Sequence, residues 1–265
     1  MLKNITNFIF KKGFKLKTII NIDIYSDTVC PWCYIGKKRL DKAIEEYKDQ
    51  NFDIKWHAFQ LNPTMPKEGV DRQLYLSTKF GGEERAISIY NQIQNAGQSS
   101  NILFNFDKIN IMPNSFYSHM LLEYSKEEGL QNKISEELFE AFFINGKNIG
   151  EFSELNTIAK LNNIKDFSED FFITRKDLAK NVQMSDETSR SKGFGGVPFF
   201  IINDNYAISG AQESEVFKKI FESRPTPRHP SRQWHNLTIK LYLVLSDSYT
   251  HLRANETREE LGLPS

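Results

Sequence analysis

Residues 20–33 read Ile20-Asn21-Ile22-Asp23-Ile24-Tyr25-Ser26-Asp27-Thr28-Val29-Cys30-Pro31-Trp32-Cys33, and the fold is decided here. Isoleucine at every second position, against Asn21, Asp23 and Tyr25, has the period of a β-strand with one buried face. The strand stops at Ser26-Asp27-Thr28, polar residues of the kind that precede helices. Pro31 stands at a first-turn position, where its missing N–H is not needed, and Leu40, Ile44 and Tyr47 follow at helical spacing. The two cysteines therefore open a helix. A second alternation, Phe52, Ile54, Trp56 and Ala58, predicts another strand, and strand, helix, strand in that order implies parallel pairing through a right-handed crossover.

Beyond this unit, proline and glycine become sparse and helical runs such as 114–126 and 134–143 dominate up to about residue 180. Strand patterns return at 198–202 and Tyr206–Ser209, joined by the turn Asn203-Asp204-Asn205, and a last helix is predicted over 213–221. The terminal strands complete one sheet only if the helical middle is an insertion into it. After Arg224 the proline-rich stretch from Pro225 to Pro230 breaks the pattern, and the short apolar run 241–245 is the tail's only regular feature. The tail is read as a linker with an extra strand, a disordered extension, or a translated sequencing or splicing artefact, with the last two preferred.

The chain has 265 residues, 39% of them hydrophobic, with 34 basic and 34 acidic side chains. Such a balance gives no bulk field to draw nucleic acid or acidic lipid. No apolar stretch approaches the roughly 18–20 residues of a spanning helix. The first 22 residues hold five lysines and no acid, but lack the continuous apolar core of a secretory signal. They also lack the arginines of a mitochondrial presequence. The expectation is a plain extension and a cytoplasmic protein, with mitochondrial import as the alternative.

Only two cysteines occur, so no disulfide framework exists and Cys30 and Cys33 have only each other. A free thiol, with a pKa of about 8.5, is mostly protonated at neutral pH, and exchange chemistry needs the thiolate. A helix N-terminus favours the anion through its unpaired N–H groups and positive dipole end. Cys30 is the expected exposed nucleophile, and Cys33, one turn inward, the buried resolving thiol. Two inert buried cysteines, or half a zinc site, are the alternatives; zinc would need two further ligands, and the five histidines show no pair at ligand spacing. Gly195-Gly196-Val197-Pro198 puts a proline at the start of a strand, where a cis Val197–Pro198 bond fits, though such a tripeptide also serves as an ordinary loop. Trp32 and Tyr34 are read as a partly exposed apolar platform beside the nucleophile or as packing against the insertion. His57 and His119 are read as structural or solvent-facing, and 45–48 as a solvated helix face.

Taken together, the residues from Val29 to Arg39, Phe59-Gln60-Leu61-Asn62-Pro63, Pro113-Asn114 with His119, 138–143, 195–200 and Ser209-Gly210-Ala211-Gln212 resemble the DsbA-like thioredoxin-fold family, in its FrnE-like branch. The resemblance implies an α/β thioredoxin fold with a large all-helical insertion. Its parts would be a disordered or targeting-like extension over 1–18, a thioredoxin-like domain over 19–64 and 181–222, an inserted helical domain over 65–180 and an unassigned tail over 223–265. It also implies a catalytic pair Cys30 and Cys33, with Pro31, Trp32, Val197 and Pro198 meeting the substrate. No tightly bound cofactor or metal is expected. The implied partners are protein disulfides or thiols, with glutathione as a redox partner. Related 2-hydroxychromene-2-carboxylate isomerases and kappa-class glutathione transferases usually carry serine at the nucleophile position, which favours redox work here. A glutathione-dependent isomerase or transferase and a chaperone-like peptide-binding module are the competing expectations.

Overall fold

A computed structural model describes residues 19–223 and the pair Lys240–Leu241. The expectations for 1–18 and, apart from Ser223 and that pair, for 223–265 lie outside the described residues.

Strand β1 spans Ile19–Ser26 and buries Ile20, Ile22 and Ile24, as the alternation requires. Helix α1, Pro31–Glu45, carries the chain across to β2, Asn51–Ala58, which runs parallel to β1 with Ile22 opposite Ile54 and Ile24 opposite Trp56. The helix ends two residues before Tyr47, so only Glu45 of the charged run is helical. Strand β5, Phe199–Ile202, pairs antiparallel with β1 on its other side and with β6, Tyr206–Ser209. Asn203 and Asp204 take left-handed backbone with φ of 50° and 53°, a conformation these two residue types tolerate and a tight hairpin demands. Lys240–Leu241, β7, joins β6 in parallel, giving the sheet order β2-β1-β5-β6-β7.

Helix α9, Ser214–Glu222, lies beside α1 and drives Phe217 edge-on against Phe200 of β5, with ring centres 5.0 Å apart. The remaining helices come between β2 and β5. They are α2 (Arg72–Phe80), α3 (Glu83–Ser99), α4 (Phe116–Tyr124), α5 (Gln131–Phe143), α6 (Phe152–Leu161), the short α7 (Phe171–Thr174) and α8 (Lys176–Ser191). A two-stranded ribbon, β3 (Val70–Asp71) with β4 (Ile111–Met112), was not legible in the sequence because two-residue strands carry no periodicity. One continuous buried cluster holds Ile22, Ile24 and Phe200 of the sheet together with Phe139, Phe142 and Leu155 of the inserted helices. The insertion is thus packed onto the sheet's layer. Among the described residues no helix is long and apolar enough to cross a membrane.

The outer edge of β2 is closed by side chains instead of a strand. The Gln131 carboxamide accepts from Trp56 N at 3.1 Å and donates to Trp56 O at 3.2 Å, and Ser185 Oγ donates to Ala58 O at 2.9 Å. On the far face of the sheet His57 is held by Asp23 at 2.7 Å and stacks on Tyr25.

Candidate active site

Cys30 occupies the N-cap of α1 in extended conformation, with Pro31 in the first turn. Its backbone is fixed on both sides: Cys30 N donates to Asp27 O at 3.0 Å, and Cys30 O accepts from Cys33 N at 3.0 Å and Tyr34 N at 3.4 Å. The usual N-cap side chain is a short oxygen acceptor; here the N-cap residue is a cysteine whose side chain makes no cap hydrogen bond. Cys33 lies one turn inward, and both thiols are free. Burial pushes the Cys33 thiol well above its ordinary range, and the Cys30 sulfur that accepts its S–H pushes the same way.

Strand β5 enters beside the pair. The Val197–Pro198 bond is cis, and the Cys30 thiol donates to Val197 O at 3.8 Å. Gly36 on α1 faces this segment so closely that a Cβ there would lie 3.0 Å from Pro198 Cγ and 3.1 Å from Phe200 Cζ. The absence of a side chain at Gly36 is what lets the helix seat on the proline.

Beneath the cysteines, the fully buried Asp27 organises the loop. Its carboxylate accepts from Leu61 N at 2.7 Å and Val29 N at 3.4 Å, and meets His119 Nε2 at 3.3 Å. Thr28 Oγ1 and Ser118 Oγ share a hydrogen bond of 2.7 Å, so α4 is fastened to the cysteine loop twice. His119 is 1% exposed and reaches into this network, which places it among the structural histidines.

One expectation needs correction, and for Tyr34 the structure selects packing against the insertion. Cys30 is 4% exposed, not an open surface nucleophile, because helices α2 and α3 wall in its free side. Tyr34 is 2% exposed and belongs to no surface platform: it stacks on Phe139 at 5.1 Å and donates its hydroxyl to Glu136 at 2.9 Å, on α5. Trp32 alone of the two is half-buried beside the pair. Lys37, one turn further along α1, is buried against Asp41 at 2.6 Å and Glu136 at 2.7 Å. Burial works against its ammonium, but the two carboxylates outweigh it and raise its pKa.

A cavity of about 130 Å³ opens onto Cys30. Pro31, Trp32 and Val197 line it from the sheet side, and Tyr75, Lys79, Phe80 and Tyr90 from the insertion. Sequence reasoning named the first group and missed the second. The helical spacing from Tyr75 to Lys79 was the only signal that linked any of these, and nothing in it pointed toward Cys30. Among the described residues no three His, Cys, Asp or Glu side chains are grouped to hold a metal ion.

Protein YwbO of Bacillus subtilis is 26% identical over 201 residues, which span 76% of this chain and 94% of that protein. Of solved structures, a probable DsbA oxidoreductase from Streptomyces coelicolor superposes with a TM-score of 0.69 at 23% identity, covering 81% of this chain and 95% of its own. The cytosolic disulfide reductase DsbM of Pseudomonas aeruginosa, solved with GSH, gives a TM-score of 0.56 at 16% identity, covering 76% and 97%. At these identities the structural matches establish the shared α/β thioredoxin-like fold with its helical insertion. A family model matches residues 21–222, from β1 through α9, and the chain belongs to the DSBA-like thioredoxin domain family.

Proposed function

We propose that the protein is a thiol–disulfide oxidoreductase that exchanges disulfides with protein or small-thiol substrates through Cys30 and Cys33. The observation that carries the reading is the placement of Cys30 at the N-cap of α1, with the Cys33 thiol turned toward its sulfur from one turn inward. In the reducing direction, the Cys30 thiolate attacks one sulfur of a substrate disulfide. The Cys30–substrate bond forms as the substrate S–S bond breaks, and the departing thiolate takes a proton from solvent. Cys33 then gives up its proton and attacks Cys30 sulfur, closing the Cys30–Cys33 disulfide and freeing the second substrate thiol. The substrate gains two electrons and two protons, and the pair loses the same; oxidation is the reverse sequence.

The helix terminus favours the attacking anion and the later leaving group alike, since both are Cys30. Cys33 remains neutral until the mixed disulfide removes the negative charge beside it. Pro31, Trp32, Val197 and Pro198 flank the attacking sulfur and are the sheet-side contacts for substrate. Glutathione is the small thiol we assign as redox partner, and the motifs around Cys30 and Ser209–Gln212 extend the reading to the FrnE-like branch.

The test is Cys33→Ser incubated with glutathione disulfide and with a reducible protein disulfide. A stable Cys30 mixed disulfide detected by mass, with loss of turnover, is the expected result. Full turnover by Cys33→Ser would overturn the reading in favour of a glutathione-dependent isomerase or transferase. In the wild type, the absence of any reversible two-electron transition in graded glutathione buffers would also overturn it.

A further inference from the structure

The walls that α2 brings to Cys30 have a specific chemistry. Of the side chains around the cavity, Lys79 alone carries charge; the rest are apolar, aromatic or the cysteine itself, and none is acidic. Among the described residues no carboxylate lies within ion-pair distance of Lys79. Its ammonium instead donates to Tyr75 Oη at 2.7 Å. Tyr75 Oη also accepts from Asn62 Nδ2 at 2.8 Å. A phenol oxygen has two lone pairs and one proton. Both lone pairs are taken, so what Tyr75 has left to offer is its O–H, and what Lys79 has left is two N–H. The pair is a donor-only cluster beside a sulfur nucleophile, in a pocket otherwise apolar. Its complement is an anion, and a carboxylate accepts several such donors at once.

Size narrows the class further. At about 130 Å³ the cavity is smaller than the sites of drug-sized ligands, which begin at ~300 Å³, and Cys30 lines it. A space of this size takes a slender arm bearing the disulfide in preference to a broad folded surface.

Resting on the oxidoreductase reading, we infer that the preferred substrates are low-molecular-weight disulfides bearing a carboxylate, which Lys79 and Tyr75 on α2 bind while Cys30 attacks the sulfur. The two residues determine specificity and take no part in the electron transfer. The exchange itself is the one already written: the substrate S–S bond breaks, Cys30 and Cys33 are oxidised, and two thiols leave, each keeping its carboxylate.

Three aliphatic disulfides separate charge from reactivity: dithiodipropionate (anionic), hydroxyethyl disulfide (neutral) and cystamine (cationic). The reduced full-length protein is mixed with each, and the rate of Cys30–Cys33 closure is followed for wild type, Lys79→Gln, Lys79→Arg and Tyr75→Phe. The readout is the ratio of second-order rate constants for dithiodipropionate over hydroxyethyl disulfide, in which fold defects and intrinsic thiol reactivity cancel. Lys79→Gln is expected to lower that ratio about 10-fold, the worth of one charge-assisted hydrogen bond, and Tyr75→Phe by about 3-fold. Lys79→Arg is expected to keep most of the wild-type ratio, and cystamine to be the poorest substrate of wild type. A ratio within about two-fold of wild type in both Lys79→Gln and Tyr75→Phe would overturn this inference while leaving the oxidoreductase reading standing. A wild type that reacts with none of the three disulfides would sink both.

Discussion

The side chain of Gln131 pairs with both backbone groups of Trp56, accepting from its N–H at 3.1 Å and donating to its carbonyl at 3.2 Å, and it reaches Leu122 O at 3.2 Å as well. One carboxamide thereby does for the edge of β2 what a neighbouring strand would do, and it joins the sheet to α4 and α5. Gln131→Ala leaves the N–H and C=O of Trp56 without that partner, whereas Leu122 O keeps Ser125 Oγ at 2.7 Å, and each unpaired buried group costs on the order of 1–3 kcal/mol. With partial rescue by water, the expected destabilisation is about 2–4 kcal/mol, read as a lower urea midpoint at unchanged slope. A loss below ~0.5 kcal/mol would mean that the edge is satisfied some other way.

The Cys33 thiol is raised by its burial and by the sulfur of Cys30. Its folded pKa therefore exceeds its unfolded one, and the unfolded chain releases this proton first as pH rises. The contribution is complete below the unfolded pKa of about 8.5 and drains away above it, toward the folded value. The reduced protein should lose stability with rising pH above about 8.5 more steeply than the oxidised protein, which has no thiol to titrate. Denaturant titrations of both forms at pH 7 and pH 10 check this. Parallel slopes would show that Cys33 titrates normally.

Gly36→Ala would put a methyl group 3.0 Å from Pro198 Cγ. Alanine is worth roughly 1 kcal/mol more than glycine inside a helix, whereas overpacking costs about 1–3 kcal/mol. Because the contacts are with a proline ring and the rim of the buried Phe200, the clash should win, for a net loss of about 1 kcal/mol. The shift of Pro198 should also slow disulfide exchange several-fold. Stabilisation with unaltered kinetics would show that α1 slides freely over β5.

Asp27→Asn exchanges one carboxylate oxygen for an NH₂ among donors that include Leu61 N and His119 Nε2. At least one donor must then face another donor in a dry site. The expected cost is about 2–3 kcal/mol, with altered Cys30 reactivity, since Asp27 O also holds Cys30 N. Thermal unfolding and alkylation rates of the reduced protein measure the two effects separately.

The strand–helix–strand opening, the hairpin at Asn203–Asn205 and α9 were legible because each depends on local period or turn chemistry. The cis bond before Pro198 was legible only in combination with the cysteine pair, because glycines before a strand-opening proline serve as readily in an ordinary loop. Tyr34 was left between surface platform and packing against the insertion for a physical reason. Helix α1 is covered on one side by the sheet and on another by α5, so buried positions spread around most of its circumference and the amphipathic signal that separates inside from outside is blurred. The same packing buries Lys37, which no hydropathy pattern would place inside. The wall formed by Tyr75, Lys79 and Tyr90 was illegible because their meeting with Cys30 is set by how the insertion docks, a long-range relation with no local trace.

The cavity draws its reactive sulfur from one stretch of chain and its cationic wall from another. If Lys79 and Tyr75 select the substrate as inferred above, descendants of such an ancestor would have separate dials for what they do and whom they do it to. Drift in 72–99 would trade one clientele for another while the electron chemistry stays intact, whereas drift in 26–36 would risk the chemistry for every client at once.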